Sequence, residues 1–403
     1  MRQTSSQGEH GVAEIGPIPV DRDCAPPESR PLLPRRDYFI LPVLSLLTIA
    51  MMFAAAEIGT RLEWSSIDQG YCMNFDSVEG PHGRPNCTTI LKIPEGERVT
   101  LKFNNCGYRS NAPCGPKPPG TVRIAVIGSS IAEGYGLAYN ETMATQMTVA
   151  LRRACHIPVE VQNLAAEACP PIYSYRHVDE ALKLTPDAVV MPLNPWDIEQ
   201  QIDPKLLARR SDPGPIDQMP EPEIKLSAMQ QVQLWVRNSR SVLVAQHYML
   251  QNRDAFLRLY LFAGGDHAGF VHFPFTPAWE KRFEVTDLLL GEMAEKIHAA
   301  GVPFVLIGIP ERAQTLMVDA HDLPAGVDAY AFTRRLSEIA AKHGILYVDA
   351  LKVFEKSASR EKLFYVVDGH PTAEAQELMG QALAHKLMTA KVPGLSGCAL
   401  PSR

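Results

Sequence analysis

Hydrophobic positions follow two regimes along this chain. Between Tyr38 and Ala56 the run "YFILPVLSLLTIAMMFAAA" carries no charge in 19 residues. At 1.5 Å per residue it spans about 28 Å, close to the roughly 30 Å hydrocarbon core of a bilayer. A helix apolar all round for five turns suits lipid better than a soluble core. The pattern therefore predicts one transmembrane helix over 38–56, with Pro42 in its first turns, where proline is tolerated. From Thr121 onward the regime changes. Short apolar runs bounded by Gly or Pro ("VRIAVIG", "PVEVQNLA", "PDAVVMPLN", "VPFVLIGIP", "ILYVDA") alternate with stretches of helical spacing, from "NETMATQMTVALRRAC" to "TAEAQELMGQALAHKLMTA". Continuous apolar strands alternating with helices predict an α/β domain with a parallel sheet in three layers.

The remaining segments complete the organisation. Residues 1–37 are rich in Pro, Gly and charge and read as a disordered tail. Residues 57–120 carry turn signals and predict a lead-in of short strands. The α/β domain occupies 121–390, and 391–403 form a tail. The stretch 203–280 breaks the strand–helix rhythm, first with "DPGPIDQMPEPEIK" and then with an aromatic- and Arg-bearing helical segment. It reads as an insertion, either a cap facing substrate or ordinary packing helices.

Net charge is −6 and no basic run exceeds a pair. A phosphate-tracking surface needs clustered Lys and Arg, so nucleic acid is excluded as a partner. Arg35 and Arg36 precede the apolar run, with Arg22 and Arg30 further back. By the positive-inside rule the tail stays cytoplasmic and the C-terminal bulk is exported. Seven of eight cysteines lie beyond the apolar run. That placement predicts disulfides in an oxidising compartment. The sequence-local pairs are Cys72 with Cys87, Cys106 with Cys114, and Cys155 with Cys169, which leaves Cys398 over. No metal-ligand spacing accompanies them, and His267 with His272 is too thin a pair to hold a metal.

In an open parallel sheet, ligands sit beyond the C-terminal strand ends. After the first strand comes "GSSIAEGYG". It lacks the Lys of a phosphate loop and the spacing of a dinucleotide fingerprint. The other chemistry for a tight turn out of a strand is a nucleophilic serine, which needs a base and an orienting acid. "YVVDGHPTAEA" supplies both: Asp368 and His370 flank a glycine just before the last helix, and Pro371 is read as the helix start.

Together the two motifs resemble the SGNH, or GDSL-type, hydrolase superfamily. "GSS" is similar to its opening Gly-Asp-Ser block, and "DGHP" to its closing acid–base block. "FNNCGYRSNAPCGPKPPG" is similar to the N-x-x-G-[FY]-R element of membrane-anchored or secreted bacterial members, including some linked to exopolysaccharide O-acetylation. The resemblance covers roughly 103–387. It implies a flavodoxin-like sheet, Ser130 as nucleophile, His370 as general base and Asp368 as the orienting acid, with no cofactor and no metal. Ser129 stands where the family has Asp and supports the turn. The oxyanion hole is implied to draw on the backbone N–H groups of Ser130 and Ala168, the latter at the family's Gly position. Its third donor is an Asn. In "PLNPWDIEQ", aligning Asp197 with the family's Asp puts Trp196 at that position. A two-residue shift puts Asn194 there, and Asn194 is the only amide available. The implied function is a serine esterase or O-acyltransferase acting on acyl, chiefly acetyl, esters of a surface polysaccharide. The implied place is the periplasmic face of a bacterial inner membrane. The altered Gly and Asn blocks leave a rival: a catalytically weak, SGNH-shaped carbohydrate-binding module.

Overall fold

Five parallel strands build the sheet that positions everything else. The computed structural model describes residues 34, 36–68, 72–76, 80–199, 236, 238–320, 322–390 and 392–398. The "DPGPIDQMPEPEIK" segment and the tail 1–33 lie outside the described residues.

The chain forms two units, Met1–Ala55 and Ala56–Arg403. The first, among its described residues, is essentially the opening part of one helix, α1, which runs from Asp37 to Glu63 and continues into the second unit. Its apolar window has a mean hydropathy of 2.3 and no residue of the window is buried. It is long and apolar enough to cross a membrane. It outlasts the apolar run because Glu57, Arg61 and Glu63 continue the helix beyond Ala56.

The second unit opens with short antiparallel strands, as the turn signals predict: β1 (Ile67–Asp68), β2 (Met73–Asp76), β3 (Gly80–Gly83), β4 (Thr88–Lys92) and β5 (Val99–Lys102). Strands β1, β4 and β5 form one sheet, and β2 pairs with β3. The parallel sheet follows: β6 (Val122–Val126), β7 (Val159–Asn163), β8 (Ala188–Leu193), β9 (Phe304–Gly308) and β10 (Leu346–Asp349), in the order β10-β9-β8-β6-β7. This is the flavodoxin-like order with helices on both faces. Side chains alternate across a strand. Ile124, Val126, Val190, Val305 and Ile307 pack on one face with α2 (Met143–Cys155) and the last helix (Ala373–Thr389). Ala125, Val189, Met191, Phe304 and Leu306 pack on the other with helices Pro171–Lys183, Pro277–Ala299 and Ala331–Lys342. Each such aliphatic side chain contributes about 1.5–3 kcal/mol on burial.

One residue breaks the apolar reading of β6. Arg123 is 1% exposed. It is neutralised by Glu160 on the neighbouring strand, and its Nη1 donates to the Leu184 carbonyl at 2.7 Å.

The cysteines correct one sequence expectation. Cys72 pairs with Cys87 and Cys106 with Cys114, but Cys155 pairs with Cys398, and Cys169 is a free, buried thiol. Cys155 ends α2, before β7, whereas Cys169 follows β7 at the opposite end of that strand. A five-residue strand separates its ends by about 16 Å. A disulfide tolerates only about 7 Å between Cα atoms. The C-terminal tail returns instead to the end of α2, because α2 and the last helix share one face. Peptide mapping without reductant should recover the 155–398 link, with Cys169 alkylated only after unfolding. A Cys155–Cys169 peptide would contradict the structure. Losing the long-range link should cost about 2–4 kcal/mol.

Candidate active site

The turn that carries Ser130 is built by close approach. Leaving β6, Gly128 has φ +142°, and a Cβ there would meet the Ala132 Cβ at 3.0 Å. Only glycine suits that position. The chain then enters a short helix, Ser130–Glu133, with Ser129 at its N-cap. The two serines part company here. Ser129 is buried, and its hydroxyl hydrogen-bonds the Asp197 carboxylate. Ser130 is half-buried and faces His370.

Three buried side chains brace this turn. The Arg109 guanidinium, 1% exposed, donates to the carbonyls of Glu133 at 2.7 Å, Gly134 at 2.6 Å, and Leu137. Asn163, the last residue of β7, donates to the Ala132 carbonyl at 2.8 Å. Gln376, from the last helix, donates to the Ile131 carbonyl at 3.0 Å and accepts the Met143 N–H. Arg109 belongs to the Gly-Tyr-Arg element already conspicuous in the sequence. Asn163 and Gln376 carry no local sequence signal.

The closing loop brings His370, with Asp368, to Ser130 from 240 residues away. His370 Nε2 lies 2.8 Å from Ser130 Oγ, and its Nδ1 lies 2.7 Å from Asp368 Oδ1. Gly369 between them has φ +83°, a conformation open to glycine, and this lets the two side chains meet. The loop is pinned by the Tyr365 N–H to the His370 carbonyl at 3.0 Å and by a bridge between Phe364 and Pro371. Pro371 is therefore part of the loop. The helix starts at Ala373, after Thr372. Burial raises the Asp368 carboxyl, but the hydrogen bond and charge of His370 outweigh it and hold Asp368 below its ordinary value.

The oxyanion candidates line the same cavity of about 370 Å³ as Ser130 and His370. Ala168 has φ +53°, the left-handed conformation that glycine adopts most readily. Alanine holds it here, so the backbone N–H is presented despite the extra methyl. Neither the Ser130 nor the Ala168 N–H has an acceptor among the described residues. Asn194 caps the helix Pro195–Glu199. Its Oδ1 accepts the Asp197 N–H at 2.8 Å while Asp197 Oδ2 accepts the Asn194 N–H at 3.2 Å. This reciprocal cap occupies the amide oxygen and leaves Nδ2 without an acceptor among the described residues. Trp196, the other reading of that block, is 52% exposed at the cavity rim and has no amide to offer. The geometry thus favours Asn194 as the third donor.

Two buried carboxyls flank the site. Burial raises Asp197 to about 6, against the hydrogen bonds of Ser129 and Asn194. Burial raises Glu133 to about 7, against the Arg109 charge. At the far side of the cavity lie Phe256, Tyr260 and His267. The described part of the 203–280 insertion therefore faces the site. Burial lowers His267, but Glu311 and Glu199 outweigh it and raise the imidazole to about 9. Among the described residues no group of three or more His, Cys, Asp or Glu is arranged to hold a metal ion.

No family model and no curated protein matches the chain. Solved structures do. The lipase Lip_vut3 from a goat rumen metagenome is 13% identical, with 66% of this chain and 97% of that one covered and a TM-score of 0.39. The lipase/acylhydrolase from Enterococcus faecalis is 11% identical, with 66% and 95% covered and a TM-score of 0.37. A member of the lipolytic protein G-D-S-L family from Veillonella parvula DSM 2008 is 13% identical, with 66% and 97% covered and a TM-score of 0.34. At these identities and scores the likeness carries no weight for function, which rests on the site itself. Lipolytic G-D-S-L proteins and lipases are what this chain is similar to among solved structures.

Proposed function

We propose that this protein is an SGNH-type serine esterase or O-acyltransferase. The observation that carries the reading is the unbroken relay from Asp368 through His370 to Ser130, at 2.7 and 2.8 Å. Those are hydrogen-bonding distances for a nucleophile, its base and the group that orients the base. His370 takes the Ser130 proton as Oγ attacks an ester carbonyl. Asp368 holds the ring and stabilises the imidazolium. The N–H groups of Ser130 and Ala168 and the Asn194 amide receive the oxyanion. The imidazolium returns its proton to the departing alcohol and leaves an acyl-serine. Water, or the hydroxyl of an acceptor, then resolves that intermediate.

The finer reading takes the acyl group as acetyl and the alcohol as a surface or exopolysaccharide. One apolar helix and three disulfides among the described residues suit a periplasmic catalytic domain (121–390) on an inner-membrane anchor, with residues 57–120 as its lead-in. The intact relay argues against the binding-module alternative. Detergent-solubilised full-length protein should release p-nitrophenol from p-nitrophenyl acetate with an initial burst equal to the protein concentration. It should also release acetate from an O-acetylated polysaccharide. Absence of both activities would contradict the esterase reading; absence of the second alone would contradict the polysaccharide.

Asn194 offers a sharper check. Serine retains an N-cap acceptor but has no amide. Asn194→Ser should lower kcat about 10²- to 10³-fold, the cost of one oxyanion donor, with KM within a few-fold. An unchanged kcat would exclude Asn194 from the hole.

A further inference from the structure

Glu95 is remote in sequence from every motif above. It sits in the loop between β4 and β5, in the lead-in, yet its side chain is only 3% exposed. Oε2 accepts two successive backbone N–H groups of the acid–base loop, Val367 at 3.0 Å and Asp368 at 2.7 Å. Oε1 lies 2.6 Å from His247 Nδ1. The other ring nitrogen of His247 meets Gln251 Nε2 at 2.9 Å, and Trp64 packs edge-on against the ring at 4.7 Å. An Nδ1–H donating to Glu95 and an Nε2 accepting from Gln251 satisfy the whole ring.

A buried carboxylate is costly to place unless its lone pairs are used. Here they are used on the residue whose carboxyl orients the base. The Asp368 carboxyl also accepts the His370 N–H at 3.2 Å, but its backbone is otherwise loosely held. It is followed by Gly369, where an added Cβ would meet nothing within 4 Å, and the loop's own backbone hydrogen bonds, from Tyr365 to His370 and from Gly369 to Tyr365, bypass the Asp368 N–H. We infer that Glu95 is a positioning residue for the esterase reaction: it fixes Asp368, and through it His370, and His247 of the insertion fixes Glu95 in turn. The lead-in and the insertion are then working parts of the catalytic apparatus. The inference rests on the esterase reading.

Kinetics of the full-length protein with p-nitrophenyl acetate test it, comparing wild type, Glu95→Gln, Glu95→Ala, Asp368→Ala and the Glu95→Ala/Asp368→Ala double variant. A misplacement of about 1 Å costs on the order of 10²-fold. Glu95→Ala should therefore lower kcat about 10²-fold with KM within twofold. Glu95→Gln keeps one acceptor oxygen and should recover part of the loss. Because Glu95 acts through Asp368, the double variant should be no slower than Asp368→Ala alone. A merely structural role would instead multiply the two losses, and that result, or an unchanged kcat in Glu95→Ala, overturns the inference. Should Glu95→Ala fail to fold, wild-type kcat in Glu95→Gln overturns it equally. A wild-type protein with no activity overturns the esterase reading on which it stands.

Discussion

Alanine in place of Ser130 is expected to lower ester hydrolysis by about 10⁴- to 10⁶-fold. Its thermal midpoint should stay within a few degrees of wild type. The rate loss follows from chemistry. Ser130→Ala keeps the cavity, the backbone donors and the imidazole, but has no atom to carry the acyl group. The small stability change follows from packing. Ser130 is half-buried, and the contact of its hydroxyl is with His370, which also has Asp368. Ser129→Ala makes the contrast. It removes a buried hydroxyl from Asp197 but leaves the nucleophile in place. Its activity should stay within about tenfold of wild type, against an ordinary mutational cost of about 0.5–3 kcal/mol in stability. Matched assays of p-nitrophenyl acetate hydrolysis and thermal unfolding on the two variants check both statements. Activity lost in Ser129→Ala and kept in Ser130→Ala would reverse the assignment.

The largest loss of stability is expected at Arg109. Its guanidinium reaches three carbonyls of the turn behind Ser130: Glu133, Gly134 and Leu137. Alanine strands the Glu133 and Leu137 carbonyls at a buried site, each at about 1–3 kcal/mol, and leaves Gly134 only the Leu137 N–H. It also removes the cation beside the buried Glu133 carboxyl. Arg109→Ala should therefore lose about 4 kcal/mol or more, as read by chemical denaturation. Lysine should not rescue it, because a single ammonium does not reproduce a planar fork of donors. A stable, active Arg109→Ala protein would show that the turn holds itself.

These two residues mark how far the sequence could be read. The strands were legible because burial on both faces leaves continuous apolar runs. The layers then follow from the alternation of strands with helices, and the sheet order from the resemblance. The meeting of Ser130, Asp368 and His370 was legible because the turns that carry them need glycine and fall at strand and helix ends. Asn194 was half legible. "PLNPWDIEQ" offered one amide, but only the reciprocal cap with Asp197 fixes which way it faces. Glu95, Asn163 and Gln376 were not legible at all. Each acts through long-range hydrogen bonds, and nothing in a local window distinguishes such a residue from a solvated polar one. The Cys155 pairing was misread for the same reason. Proximity in sequence stood in for proximity in space, although β7 lies between Cys155 and Cys169 and carries them to opposite ends of the strand. Arg123 was hidden by its neighbours, since a buried arginine paired to the next strand sits inside an apolar run without breaking it.

The most direct measurement is covalent. Full-length protein treated with a serine-directed fluorophosphonate and digested for mass spectrometry should carry one adduct, on Ser130. Labelling should vanish in Ser130→Ala and fall steeply in His370→Ala. An adduct on Ser129, or no adduct in folded wild-type protein, would contradict the assignment of Ser130 as an activated nucleophile.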